Sequence, residues 1–206
     1  MPHSHYTIVP AKPFGEGKSR LAPLLSEQER SRLNLHLFLN TIRLAAEIAG
    51  PASVVVVSRS QEALGIAQRS GALPILETGV DLNAALRQAT NVVLEKAAES
   101  VLILPTDLPL AGSTEIRQLV AAYRHDTLQI VPDSRETGTN ILLLPPPMLK
   151  LYHFGPNSRL HHMRAAEAAG LRVAEQRIAS LMFDVDTPED YRCWRKLERE
   201  MRPLSA

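Results

Sequence analysis

Ser53-Val54-Val55-Val56-Val57-Ser58 reads as one strand, apolar and β-branched at every central position. A strand with one wet face alternates apolar and polar residues, so an unbroken run implies cover on both faces. Working outward, similar short runs recur between helix-like stretches. Upstream lie a strand over 6–9 and a long amphipathic helix. That helix opens at Ser26-Glu27-Gln28-Glu29, with Ser at the cap and Glu three residues later, and stops at Gly50-Pro51. Downstream come a helix over 60–70 closed by Gly71, a strand over 73–76 and an alanine-rich helix over 82–99. A strand over 101–104 and a helix over 113–124 follow. Strands over 128–131 and 140–144 then succeed one another with no helix between them. A helix over 158–169 ended by Gly170, a strand over 172–175 and a last helix begun by Thr187-Pro188-Glu189-Asp190 complete the order. Alternating strands and helices predict an α/β, Rossmann-like fold: a mostly parallel sheet flanked by helices. The one break in the alternation predicts an antiparallel insertion, hence a mixed sheet. There is no linker, low-complexity segment or repeat, so residues 1–206 are expected to form a single domain; Pro145-Pro146-Pro147 is only a stiff local connector.

The bulk numbers exclude several classes. The 206 residues suffice for one large core, and the net charge of +1 gives no basic bias toward nucleic acid. Aromatics at 4% leave few stacking platforms for single strands. The lone Cys193 excludes a disulfide framework, and beside Trp194 it reads as a packed thiol. No apolar stretch is long enough for a bilayer span, and Met1-Pro2-His3-Ser4-His5 lacks the apolar region of a signal peptide. The expected location is cytoplasmic, with no membrane or nucleic-acid partner.

Three polar clusters follow strand-like runs, where open α/β sheets place ligands. Asp107 lies in Leu104-Pro105-Thr106-Asp107-Leu108-Pro109 after Val101-Leu102-Ile103. Asp184 and Asp186 lie in Phe183-Asp184-Val185-Asp186-Thr187-Pro188 after Leu181-Met182. A basic loop, Pro10-Ala11-Lys12-Pro13-Phe14-Gly15-Glu16-Gly17-Lys18-Ser19-Arg20-Leu21, follows the first strand. Each has a structural alternative. Asp107 could cap a turn before proline, and Asp186 or Thr187 could cap the last helix. The basic loop is no P-loop, because Lys12 stands where that motif needs glycine. Still, two glycines with Lys12, Lys18 and Arg20 suit phosphate oxygens, and three acids suit magnesium held by a few carboxylates plus substrate phosphates. Thr137-Gly138-Thr139-Asn140 reads as a hairpin turn or as a nest for a small anion. In Phe154-Gly155-Pro156-Asn157-Ser158-Arg159, the start of a helix beside Arg159 offers a second anion site. The histidines carry little: His161 and His162 sit mid-helix, one toward the core and one toward solvent, while His3 and His5 are terminal.

Taken in order, these blocks, with Leu82-Asn83-Ala84-Ala85-Leu86 and the Ser158 to His162 spacing, resemble the CofC/FbiD family. Its members are the guanylyltransferases of coenzyme F-420 (deazaflavin) biosynthesis. The resemblance runs from Thr7 to about Tyr191. It implies a nucleotide-diphospho-sugar-transferase-like fold, GTP as co-substrate and a small phosphorylated carboxylic acid as acceptor: 2-phospho-L-lactate, phosphoenolpyruvate or 3-phospho-D-glycerate. By position, Asp107, Asp184 and Asp186 are implied to bind Mg2+ and, with Lys18, to be catalytic. Pro10, Ala11, Lys12, Lys18, Arg20 and Asn83 are implied to meet the nucleotide. Thr139, Gly155 and Ser158 are implied to hold the acceptor's carboxylate. Two positions depart from the family pattern: Thr106 replaces a small residue, and Arg159 replaces an aromatic. The second makes Arg159 an expected selector of acceptor. A homodimer and hand-over of product to a downstream deazaflavin transferase are further expectations, though the residues themselves carry no signal of an oligomer. The rivals are a molybdopterin-type guanylyltransferase or glycosyltransferase of the same fold, and a non-catalytic nucleotide-binding protein.

Overall fold

The four valines become β2 (Val54–Ser58), and each is at most 1% exposed. Val54 and Val56 join one apolar cluster, Val55 and Val57 another, so the strand is covered on both faces. Burying each of these side chains contributes roughly 1.5–3 kcal/mol. The protein is described here from a computed structural model, which covers residues 4–146 and 148–201. Met1 to His3 and Pro147, on which the readings of the N-terminus, of His3 and of the triple-proline connector partly rest, lie outside the described residues.

Among the described residues one seven-stranded sheet forms, in the order β3-β2-β1-β4-β6-β5-β7. Its other strands are β1 (His5–Ala11), β3 (Leu73–Leu76), β4 (Ser100–Ile103), β5 (Thr127–Pro132), β6 (Thr139–Leu144) and β7 (Arg172–Glu175). Strands β1 to β4 pair in parallel, and β5 pairs with β7 in parallel. The mixed character comes from β6 alone, antiparallel to both β4 and β5. The reversal has a consequence for the site. The start of β6 lies level with the ends of its neighbours, since Thr139 pairs with Pro132 and Leu142 with Ile103. Thr139 therefore opens onto the same sheet edge as the loops after β1 and β4.

Helices α1 (Glu27–Ala49), α2 (Gln61–Arg69) and α4 (Ser113–Ala121) cover one face, while α3 (Leu82–Leu94) and α5 (Ser158–Ala168) cover the other. The capping box forms: Ser26 Oγ accepts from the Glu29 amide at 3.3 Å, and Glu29 accepts from the Ser26 amide at 2.8 Å.

Three expectations are corrected. The alanine-rich helix ends at Leu94, not 99, because Ala97 turns left-handed (φ 56°) and the Ala98 amide bonds back to the Val93 carbonyl. This closure frees Ser100 to pair with His5. The run before Asp184 is no strand but a helical turn, α6 (Ala179–Met182). Cys193 is exposed: on α7 (Pro188–Met201), Trp194 faces the core, and the neighbouring residue, about 100° round the helix, does not.

Candidate active site

A cleft of about 270 Å3 opens at the carboxyl edge of the parallel strands. Pro10, Asp107, Asp133, Gly138, Thr139, Asn140, Phe154, Gly155, Ser158, Asp184 and Asp186 line much of it. The acids come from two loops that are stitched together, the Val185 amide donating to the Asp107 carbonyl at 3.1 Å. Asn140 donates to the Leu181 carbonyl at 3.0 Å and ties α6 to the start of β6. The capping alternative for Asp186 is answered by its neighbours. Thr187 Oγ1 caps the Asp190 amide, and Asp190 accepts from the Asp186 and Thr187 amides, so the Asp186 carboxylate is left for the cleft. Asp107 likewise turns its carboxylate to a distant cation rather than to its own turn.

That cation is Lys18. Its Nζ donates to Asp186 at 2.8 Å and to Asp107 at 3.2 Å, with the lysine side chain 8% exposed. Burial opposes the charge, but Asp107 and Asp186 more than offset it, so the ammonium is held above the usual lysine range. Asp184 is the contrasting group. Burial first, then the Asp107 and Asp186 charges, push its carboxyl up to about 6. Its Oδ1 is buried with no hydrogen-bond partner. Among the described residues no three acids or histidines are grouped as a ready metal site, and Lys18 bridges two of the three aspartates. The orphaned oxygen and the hard carboxylate donors nevertheless fit a divalent cation.

The opposite wall is built from the 153–158 loop. Asn83 clamps it: its Nδ2 donates to the Phe154 carbonyl at 3.0 Å and its Oδ1 accepts from the Phe154 amide at 2.7 Å. Gly155 has φ 136°, a conformation side chains resist, and Asn157 is left-handed at φ 54°. Ser158 is 2% exposed and has no hydrogen-bond partner for its hydroxyl among the described residues. The start of α5 is less open to an anion than the sequence implied. The Ser158 amide already bonds Gly155, and the Arg159 amide bonds Thr137.

Of the sequence-predicted residues, the structure brings Pro10, Lys18, Asp107, Thr139, Gly155, Ser158, Asp184 and Asp186 together. Lys12 and Arg20 are exposed and line no part of the cleft, and Ala11 is buried in β1. The Asn83 side chain serves the loop. Arg159 is turned away: its Nε donates to Glu175 at 2.6 Å, an ion pair reaching across to β7. Asp133 and His162 are the residues the sequence reading missed. His162 is fully buried, and its Nδ1 lies 2.9 Å from Thr139 Oγ1. The spacing of Ser158 and His162, one turn apart on a single helix face, was the available signal. A larger hollow of about 730 Å3 lies over α7 and shares no lining residue with the cleft, and its Arg192 and Arg195 are paired with Glu189 and Glu198.

A family model described as "Guanylyl transferase CofC like" matches residues 5–193. The chain belongs to this family. It is 36% identical over 183 residues to a phosphoenolpyruvate guanylyltransferase of Sphaerobacter thermophilus, covering 89% of this chain and 88% of the relative. It is 33% identical to a 2-phospho-L-lactate guanylyltransferase of Methanocaldococcus vulcanius (89% and 80% covered). It is 29% identical to a 3-phospho-D-glycerate guanylyltransferase of Colwellia psychrerythraea (89% and 87%). A solved structure from Desulfovibrio desulfuricans G20, assigned as a nucleotide-diphospho-sugar transferase, superposes with a TM-score of 0.79 at 13% identity, covering 97% of this chain and 90% of that one. At that identity the likeness is one of fold alone.

Proposed function

We propose that this protein, acting as a single guanylyltransferase domain, moves GMP from GTP to the phosphate of a small phosphorylated carboxylic acid, as a step of coenzyme F-420 biosynthesis. The observation that carries the reading is one cleft with two chemistries: three aspartates and Lys18 on one wall, two hydroxyls and a glycine loop on the other. An oxygen of the acceptor phosphate attacks the α-phosphorus of GTP, the bond from the α-phosphorus to the bridging oxygen breaks, and pyrophosphate leaves with that electron pair. The acceptor phosphate is ionised at neutral pH, so the protein needs neither a nucleophile nor a general base. What the chain supplies is position and charge.

Lys18 is the buried cation nearest the acids and is suited to shift onto phosphate oxygens when GTP enters. Lys12 and Arg20, exposed on the same loop, suit the outer phosphates. Thr139, Gly155 and Ser158 suit the acceptor's carboxylate. Asp107, Asp184 and Asp186 would hold Mg2+, and the ion when bound supplies neutralisation of charge on the phosphates. The relatives' names span phosphoenolpyruvate, 2-phospho-L-lactate and 3-phospho-D-glycerate, and this chain's acceptor belongs to that class. A cytoplasmic location accompanies the reading, where GTP is at hand.

The test incubates the protein with GTP, Mg2+ and each of the three phospho-acids, and reads product masses and pyrophosphate. A guanylylated acid with equimolar pyrophosphate is the expected result. GTP left intact with every acid, or cleaved with no acid joined to GMP, would reject the reading.

A further inference from the structure

His162 accepts from the His153 amide through Nε2, at 3.0 Å. A backbone amide can only donate, so Nε2 carries no proton. In the neutral ring the proton is then on Nδ1, 2.9 Å from Thr139 Oγ1, which therefore accepts. The Thr139 oxygen has no other partner among the described residues, and its residue lines the cleft. Its own proton is left to point there. We infer that His162 is a positioning residue: through a fixed Nδ1–H tautomer it makes Thr139 a one-way hydrogen-bond donor toward an anionic oxygen of the acid acceptor.

The inference rests on the proposed reaction for the identity of the anion, but not for the tautomer. The surroundings of His162 enforce the neutral ring. It is fully buried, the Phe154 ring meets it edge-on at 4.8 Å, and a second proton on Nε2 would face the His153 amide head-on. Burial first, then the nearby His153 and His161, draw its pKa down to about 3, so the arrangement persists through the neutral range. A threonine without this partner could donate or accept by rotating its hydroxyl. Here the choice is removed before the ligand arrives, so no reorientation accompanies binding.

Two measurements test it. Long-range nitrogen–proton correlation spectra of the histidine rings, on isotope-labelled wild-type protein, should show His162 protonated at Nδ1 and bare at Nε2. The reverse tautomer, or a charged ring at neutral pH, overturns the inference regardless of activity. The second is a kinetic cycle of Thr139→Val, His162→Gln and the double variant, with thermal melts alongside. Gln can still accept from the His153 amide but no longer reaches Thr139. Each single change should raise the KM for the phospho-acid about tenfold, with the KM for GTP unchanged. The double variant should be no worse than Thr139→Val alone. Effects that multiply toward a hundredfold mean that His162 acts independently of Thr139 and refute the coupling. A shift in the KM for GTP instead assigns the hydroxyl to nucleotide phosphate, and the inference about the acceptor fails. If the wild type guanylylates no acid, the proposed reaction has failed and the acceptor role falls with it, while the tautomer stands or falls on the spectra.

Discussion

Asp184→Asn should make the ligand-free protein more stable while it removes turnover. Asp184 is 8% exposed, its Oδ1 has no partner, and its carboxyl is pushed up to about 6 from 3.8 by burial and by Asp107 and Asp186. The folded state thus holds this proton more tightly than the unfolded chain. The sign follows: below about 3.8 the group costs nothing, the penalty grows as pH rises through the interval, and it is complete above about 6. At roughly 1.4 kcal/mol per unit, it amounts to about 3 kcal/mol at pH 7. Asparagine is nearly isosteric and uncharged, so that penalty disappears. For a chain of this size about 1 kcal/mol moves Tm by roughly 2–4 °C, which gives a rise of roughly 6–12 °C. Calorimetric melts of both proteins without nucleotide or metal, at pH 7 and pH 4, are the assay. The difference should be near its maximum at pH 7 and close to zero at pH 4, where the wild-type carboxyl is itself largely protonated. Guanylyl transfer by the variant should fall by orders of magnitude. An Asn variant that melts at or below the wild type at pH 7, or a gain that persists at pH 4, refutes the electrostatic account of this cleft.

Lys18→Met keeps the aliphatic stem but removes the charge between Asp107 and Asp186; kcat/KM for GTP should drop by ~100-fold or more, and unaltered GTP kinetics would assign Lys18 a purely structural place. His5 is buried against Ser100, and burial lowers its pKa to about 4 from 6.5. Its neutral form contributes about 3 kcal/mol that is present above pH 6.5 and lost as pH falls through about 4. His5→Gln should therefore flatten the denaturant-measured stability across that window, and an unchanged slope refutes the assignment. Arg159→Phe removes the ion pair with Glu175, at a cost of roughly 0.5–1 kcal/mol. The ranking of the three phospho-acids should hold, and a reordered ranking would restore Arg159 as the selector of acceptor.

The layered architecture was legible because it is local chemistry. Four consecutive valines need two covers, Ser26 and Glu29 close a capping box three residues apart, and strands over 128–131 and 140–144 without an intervening helix can only turn back. Strand order was not legible, since β4 beside β1 and β6 between β4 and β5 are set by pairings far apart in the chain. The same limit governs the site. Asp107, Asp184 and Asp186 could be singled out by residue type, but that one lysine would join two of them, across 89 and 168 residues, is a product of the fold. Arg159 shows the complementary limit. Next to a helix start it looked like an anion donor, yet Glu175 on β7 lies within 2.6 Å and claims it. His162 was passed over because a mid-helix histidine has no meaning until its partners are placed. With the His153 amide on one ring nitrogen and Thr139 on the other, its protonation is decided by geometry. The two walls of the cleft thus differ in how they are prepared for ligand. On the acid wall, Lys18 satisfies Asp107 and Asp186 but leaves the buried Oδ1 of Asp184 without a partner, a repulsion that a bound cation would relieve. On the hydroxyl wall, His162 already occupies Thr139 as an acceptor, so that the threonine's own proton is left over for a ligand. Binding on the first wall releases stored repulsion, and binding on the second completes an unfinished network. Neutralising Asp184 should therefore raise stability as it abolishes turnover, whereas removing Asp107 or Asp186 strands the Lys18 charge and brings no such gain, and substitutions on the hydroxyl wall should weaken the acceptor without any gain in Tm.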